Sequence, residues 1–132
     1  MPKVETYTPE GSVKPIGPYN HIAVVGDHIT IGGVAGFDPE TGQLAGPDVG
    51  AQTKQILKSF KGMLESVGSD LNHIVHINIF LKDIAEFEAM NAAYSQTFKD
   101  HLPARTAFQV ADLPKPGLRL TMNLTAVKRG DA

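Results

Sequence analysis

The stretch LRLTMNLTAVK, residues 118–128, constrains the fold more than any other part of the chain. Leu118, Leu120, Met122, Leu124 and Ala126 alternate with Arg119, Thr121, Asn123 and Thr125. Successive side chains of a strand point to opposite sides, so a period of two dictates one apolar face and one polar face. A sheet containing this strand needs a second layer over its apolar face. Two segments of a different period supply it. In 48–68, Ile56, Phe60, Met63, Leu64 and Val67 recur at spacings of three and four, the mark of a helix with one apolar stripe. Asp48 is placed to cap its start, and Gly68 to take positive φ at its end. In 83–100, Ile84, Phe87, Met90, Tyr94 and Phe98 form a second stripe, with Asp83 and Glu86 spaced as a capping box.

The remaining segments read as strands and turns. HIAVVGDHITIGGVAG (21–36) gives two short strands joined at Gly26-Asp27, and 37–46 is a loop with Asp-Pro and Thr-Gly turn chemistry. NHIVHINIFLK (72–82) is a strand with Val75, Ile77, Ile79 and Leu81 on one face; His76 and Asn78 share the other with Ile74 and Phe80. After Pro103, Arg105-Thr-Ala-Phe-Gln-Val is a run of strand formers. The predicted order is β-β-loop-α-β-α-β-β. It fits an α+β or α/β two-layer sandwich, of which α+β is the class expected, with two helices on one face of a mixed sheet. The 132 residues fit one domain, 1–132. The open face would carry Thr121, Asn123, His76 and Asn78. That face is too polar for a core and too regular for a casual surface, so an oligomer is expected.

Composition removes several function classes. There is no cysteine, hence no disulfide, thiolate nucleophile or Cys metal site. Net charge is -2 with no basic block, so no nucleic-acid partner is expected, and Lys54, Lys58 and Lys61 read as the solvated face of the first helix. No apolar run approaches the ~20 residues that span a bilayer, and the N-terminus shows no signal-peptide pattern. A cytoplasmic protein without a membrane partner is therefore expected. His73 and His76 are three apart on or beside a strand and point to opposite faces, and no His, Asp or Glu cluster has ligand spacing, so no metal is assigned. GGVAG (32–36) lacks the spacing of a dinucleotide loop. Three features stay open on the residues alone. Arg105 is a surface cation or an anion clamp. Tyr19, in GPYN, is a core tyrosine or one presented by a turn. GGVAG is a tight bend or a place where a ligand or neighbouring subunit approaches the backbone.

Taken together, GPYNHIAVVGDHITIGGVAGFDPETGQL, AQTKQILKSFKGMLESVG, VHINIFLKDIAEFEAMNAAY and PARTAFQVADLPK resemble the YjgF family, also called Rid, the reactive intermediate deaminases. The likeness runs from about Ile16 to Arg129, in order. It implies a chorismate-mutase-like fold and a homotrimer with active sites in clefts between subunits. It implies hydrolysis of reactive enamines and imines, such as 2-aminoacrylate, to 2-keto acids and ammonia, without metal or organic cofactor. By this likeness Arg105 clamps the carboxylate of a small metabolite, and Tyr19, Gly33, Asn91 and Ala107 line the pocket. Three positions depart from the family pattern. Asn123 stands where a water-activating glutamate is usual, Gly32 where a serine is common, and Ala107 where a cysteine is common. An amide can position water but cannot take its proton, and losing a general base costs about 10²–10⁴-fold. The resemblance thus implies a divergent deaminase with Arg105 and Asn123 as catalytic positions, or a trimer that binds a small carboxylate without turnover. An endoribonuclease, known among relatives, ranks behind both because the basic patch is missing.

Overall fold

The computed structural model describes residues 2–130. A six-stranded mixed sheet carries two helices on one face. The strands are β1 (Glu5–Tyr7), β2 (Ile22–Val25), β3 (His28–Val34), β4 (Ile74–Leu81), β5 (Ala104–Gln109) and β6 (Leu120–Val127). The helices are α1 (Val49–Ser66) and α2 (Phe87–Tyr94). Strands lie in the order β1-β2-β3-β6-β4-β5; only the β4–β5 pair is parallel. β1 and β5 are therefore the edges. The α+β two-layer class read from the sequence is the one observed.

The period of two in β6 is realised in full. Leu120, Met122, Leu124 and Ala126 are buried, while Thr121, Asn123 and Thr125 are half-exposed on the other side. The buried set joins Ile29 and Ile31 of β3 and Ile77, Ile79 and Leu81 of β4 under Ile56, Phe60, Met63 and Leu64 of α1 and Met90 of α2. The Asp48 carboxylate accepts from the Ala51 N–H at 2.9 Å, and Gly68 takes φ +80° just past the helix end, as the sequence predicts. The positively charged face, Lys54, Lys58 and Lys61, is exposed, with Lys61 paired to Glu65 at 2.9 Å.

Four local expectations are corrected. β1 is an extra strand that three exposed residues gave no pattern to reveal; it is held by pairing to β2. In β4 the register shifts between Ile74 and His76, so Ile74 and not Val75 joins the core. Ile74 is 2% exposed and Val75 48%. The second helix is shorter than 83–100. Glu86 does not close a capping box: its carboxylate receives Arg119 Nε–H at 2.8 Å, while Asp83 caps a 3₁₀ turn, Ile84–Glu86, by accepting from Ala85 N–H. Ile84 is left half-exposed. After Tyr94 the bonds Gln96 N–H to Ala93 O and Thr97 N–H to Tyr94 O tighten the chain into turns, though Phe98 stays buried.

Candidate active site in two halves

The sequence-predicted residues fall into two groups on opposite faces of the sheet. The first group gathers beside β5. Arg105 is registered against Ile77 of β4, whose side chain faces the helices. Its guanidinium carbon lies 4.8 Å from the ring centroid of Tyr94 and 5.6 Å from that of Phe87. Phe87, Asn91 and Tyr94 are spaced four and three apart, which aligns them on one face of α2. The two rings thus form an apolar shelf that holds the cation by its charge and planarity. Among the described residues, the ion pairs are Lys61–Glu65, His73–Asp70, Lys82–Asp112, Arg119–Glu86 and Arg129–Asp70. None engages Arg105, so this half-buried guanidinium has no carboxylate within 4 Å among the described residues. On the same face of α2, two buried polar atoms also lack partners among the described residues: the Asn91 amide oxygen and the Tyr94 hydroxyl. Burial pushes the Tyr94 phenol up to about 12, against the opposing charge of Arg105. Ala107, two residues beyond Arg105 on the same face, packs against the core opposite Ile79.

The second group lies across β3 and β6. Ile31 pairs with Leu124 and Val34 with Met122, so Gly32 and Gly33 together oppose the single residue Asn123. This is a bulge, the device that kinks a strand beside a site. The Asn123 amide oxygen accepts from the Asn78 amide at 2.9 Å on the open face. Next to the bulge is a cleft of about 490 Å³ whose lining includes Tyr19, Gly32, Gly33, Phe37, Leu118 and Thr121. Tyr19 is no core residue. It is 42% exposed, its hydroxyl accepts from the Ile16 N–H at 3.2 Å, and its ring stands edge-on to His21. His21 anchors this wall. Its Nε2–H donates to the Val13 carbonyl at 2.7 Å, and its own carbonyl accepts from the Gly32 N–H at 2.9 Å.

Gln52 and the Glu86–Arg119 pair hold the segment before β6 in place. The fully buried Gln52 side chain donates to Gly46 and Gly117 carbonyls, each at 3.0 Å, and accepts from Arg119 N–H at 2.8 Å. Sequence reading did not single out this clasp or the aromatic shelf; it placed Asn78 on the open face with Asn123 but not the hydrogen bond between them. Phe87 and Tyr94 look like ordinary stripe residues, and a Gln on a helix carries no signal of what it will bridge. Among the described residues, no three His, Cys, Asp or Glu side chains gather to hold a metal ion, and no helix is long and apolar enough to cross a membrane.

The α+β sandwich thus carries, among the described residues, an arginine without an ion-pair partner on one sheet face and a glycine-floored cleft on the other. The chain matches the family model described as endoribonuclease L-PSP over residues 10–128, and it belongs to that family, the one also known as YjgF or Rid. It is 42% identical over 106 residues to a RutC family protein of Pyrococcus abyssi, covering 80% of this chain and 84% of the relative. It is 40% identical over 113 residues to the 2-iminobutanoate/2-iminopropanoate deaminase of Homo sapiens, covering 86% and 82% respectively. The crystal structure of the YjgF gene product from E. coli superposes with a TM-score of 0.87 at 33% identity, covering 95% of this chain and 99% of that one.

Proposed function

We propose that this protein is a divergent deaminase that hydrolyses 2-imino carboxylates, with its site completed between copies of a homotrimer. Arg105 carries the reading. A permanent cation, half-buried on two rings and without a carboxylate partner among the described residues, is a place prepared for an anion. Its planar fork matches a carboxylate, and each such charge-assisted bond contributes about 1.5–3 kcal/mol. The human relative's printed activity supplies the chemistry to test on such a ligand. Arg105 and Asn123 sit on opposite faces of one sheet, two strands apart. A single small ligand can use both only if they come from different copies, which is the reason for placing the site between subunits.

In the reaction, water adds to the C=N carbon of the iminium carboxylate to give a carbinolamine. Its C–N bond then breaks, releasing ammonia and leaving the 2-keto acid. Arg105 holds the carboxylate and thereby orients the C=N carbon. Asn123, fixed by Asn78, hydrogen-bonds the attacking water. The water's proton goes to solvent or to the departing nitrogen, because an amide does not accept it. The rate then rests on orientation of an intrinsically labile imine more than on base catalysis.

The test is imine decay with an imine generated in place by an amino-acid oxidase. Wild type accelerates the decay and Arg105→Ala does not. If wild type is silent and Asn123→Glu gains activity, the protein is a carboxylate-binding trimer of the same architecture that has left this chemistry. Exposed Lys54, Lys58 and Lys61 on one helix face, with a net charge of -2, give no support to an endoribonuclease reading.

A further inference from the structure

A glycine inside a strand costs stability, because the unfolded chain has more freedom to lose and the strand gains no side chain to pack. Two structural demands commonly require one: a positive φ, or a neighbour too close for a Cβ. Gly32 and Gly33 meet neither. The glycines with positive φ are Gly11, Gly26, Gly42, Gly68 and Gly117. A Cβ on Gly33 would find nothing within 4 Å, and one on Gly32 only the His21 carbonyl at 3.9 Å. Gly36 gives the contrast, since a Cβ there would lie 2.8 Å from the Gln52 backbone. Within one copy, the pair at 32–33 is therefore required neither by φ nor by close packing. What it provides is bare backbone on the floor of the cleft, at the bulge that faces Asn123.

The walls define what fits there. Val13, Ile16, Val34, Phe37 and Leu118 make most of the lining of the cleft apolar, with Lys14 and Thr121 among its polar side chains, and its volume is about 490 Å³. Cavities of about 300–1,000 Å³ hold ligands of drug size, and a three-carbon imino acid is far smaller. Position 32 offers no hydroxyl that would reward a polar group. If Arg105 of another copy holds the carboxylate, the rest of the substrate lies in this cleft. Resting on the imine-hydrolysis reading, we propose that the Gly32–Gly33 step is a shelf for a large apolar substrate side chain. The protein then favours branched or aromatic 2-imino acids over the alanine-derived one.

The experiment uses the full-length protein and imines made in place from leucine, phenylalanine and alanine. The leucine- and phenylalanine-derived imines should exceed the alanine-derived one in kcat/KM by about tenfold or more, since a single methylene in an apolar pocket is worth about that much. Gly33→Val places its Cβ in open space and its methyl groups on the shelf, and should lower the leucine-to-alanine ratio by about tenfold. As a second measurement, 4-methyl-2-oxopentanoate should raise the melting temperature of wild type more than pyruvate does, and Gly33→Val should remove that difference. Equal ratios in wild type, or an unchanged ratio in Gly33→Val, would overturn the shelf. So would a smaller assembly on size exclusion for Gly33→Val, which would show that a second copy and not a substrate fills the space. Arg105→Ala separates the two ideas. If it abolishes turnover while wild type shows no size preference, the clamp stands and the shelf falls. If it changes nothing while the size preference holds, the shelf stands and the clamp falls. Wild type that neither turns over imines nor is stabilised by either keto acid sinks both.

Discussion

Around Arg105 the chain commits rigid aromatic structure to one charge; around Gly33 it withdraws side chains and leaves room. The first region is an edge strand, β5, backed by Phe87 and Tyr94 of α2. The second is an interior strand, β3, kinked by a bulge and flanked by apolar walls. A charge needs a fixed, partly desolvated seat, because a cation free to move in water binds an anion weakly. A side chain of variable size needs the opposite, a surface without protrusions. β4 lies between β5 and β6, and the two groups project from opposite sides of the sheet. On the proposed reading, one copy keeps recognition of charge and recognition of shape apart, and assembly is what would join them.

The largest expected effect is on the first region. Arg105→Ala should cut imine turnover about 10²-fold, the loss of roughly one to two charge-assisted bonds. Arg105→Lys keeps the charge but not the fork and should recover only part of it, as steady-state kinetics on both variants would show. Full activity in Arg105→Ala would break the comparison at its first term. The next test asks whether the regions meet across copies. Arg105→Ala and Gly33→Trp should each be weak alone. Co-expressed, they should regain about a quarter of wild-type activity, the share of heterologous interfaces that pair two intact halves when copies mix at random. No gain over either variant alone would mean that each copy works by itself. A third, smaller effect concerns the frame under the cleft. Gln52→Leu removes three buried hydrogen bonds and leaves the Gly46 and Gly117 carbonyls and the Arg119 N–H unpartnered by it. It should lower stability by about 3 kcal/mol in urea denaturation. A loss below the scatter of the method would mean that water replaces the clasp without cost.

How far the sequence could be read follows from which signals are periodic. Alternation in 118–128 and the stripe in α1 specify buried faces directly, because each residue's neighbours at fixed spacing repeat the message. β1 carried no such message, since Glu5, Thr6 and Tyr7 are all exposed and their strand exists only through pairing with Val24, Ala23 and Ile22. Val75 misled for a related reason: a bulge shifts the phase by one residue, and phase is what alternation encodes. At the site, the Pro-Ala-Arg segment drew attention to Arg105, but its shelf comes from residues seven apart on a helix that also look like core. Gly32 and Gly33 were visible as glycines. That neither is needed for φ or for close packing became evident only from the space around them.

The smallest predicted change probes the shelf itself. Tyr94 offers Arg105 a ring face, and its hydroxyl is buried without a partner among the described residues. An unpartnered buried hydroxyl costs stability, whereas the ring beneath the guanidinium does not depend on it. Tyr94→Phe should therefore raise stability by about 1 kcal/mol. The two proteins should diverge further at alkaline pH. The Tyr94 phenol is raised from 10.0 to about 12 in the folded state, chiefly by burial, so the folded protein holds this proton where the unfolded chain releases it. The stability this confers is fully present below pH 10 and is lost as pH rises toward 12. Unfolding followed across that window should show wild type losing stability faster than Tyr94→Phe, and absorbance titration should show one late phenol that the variant lacks. A variant less stable than wild type at neutral pH would mean that the hydroxyl is held by a partner from a second copy, which would move α2, together with Arg105, into the interface between subunits.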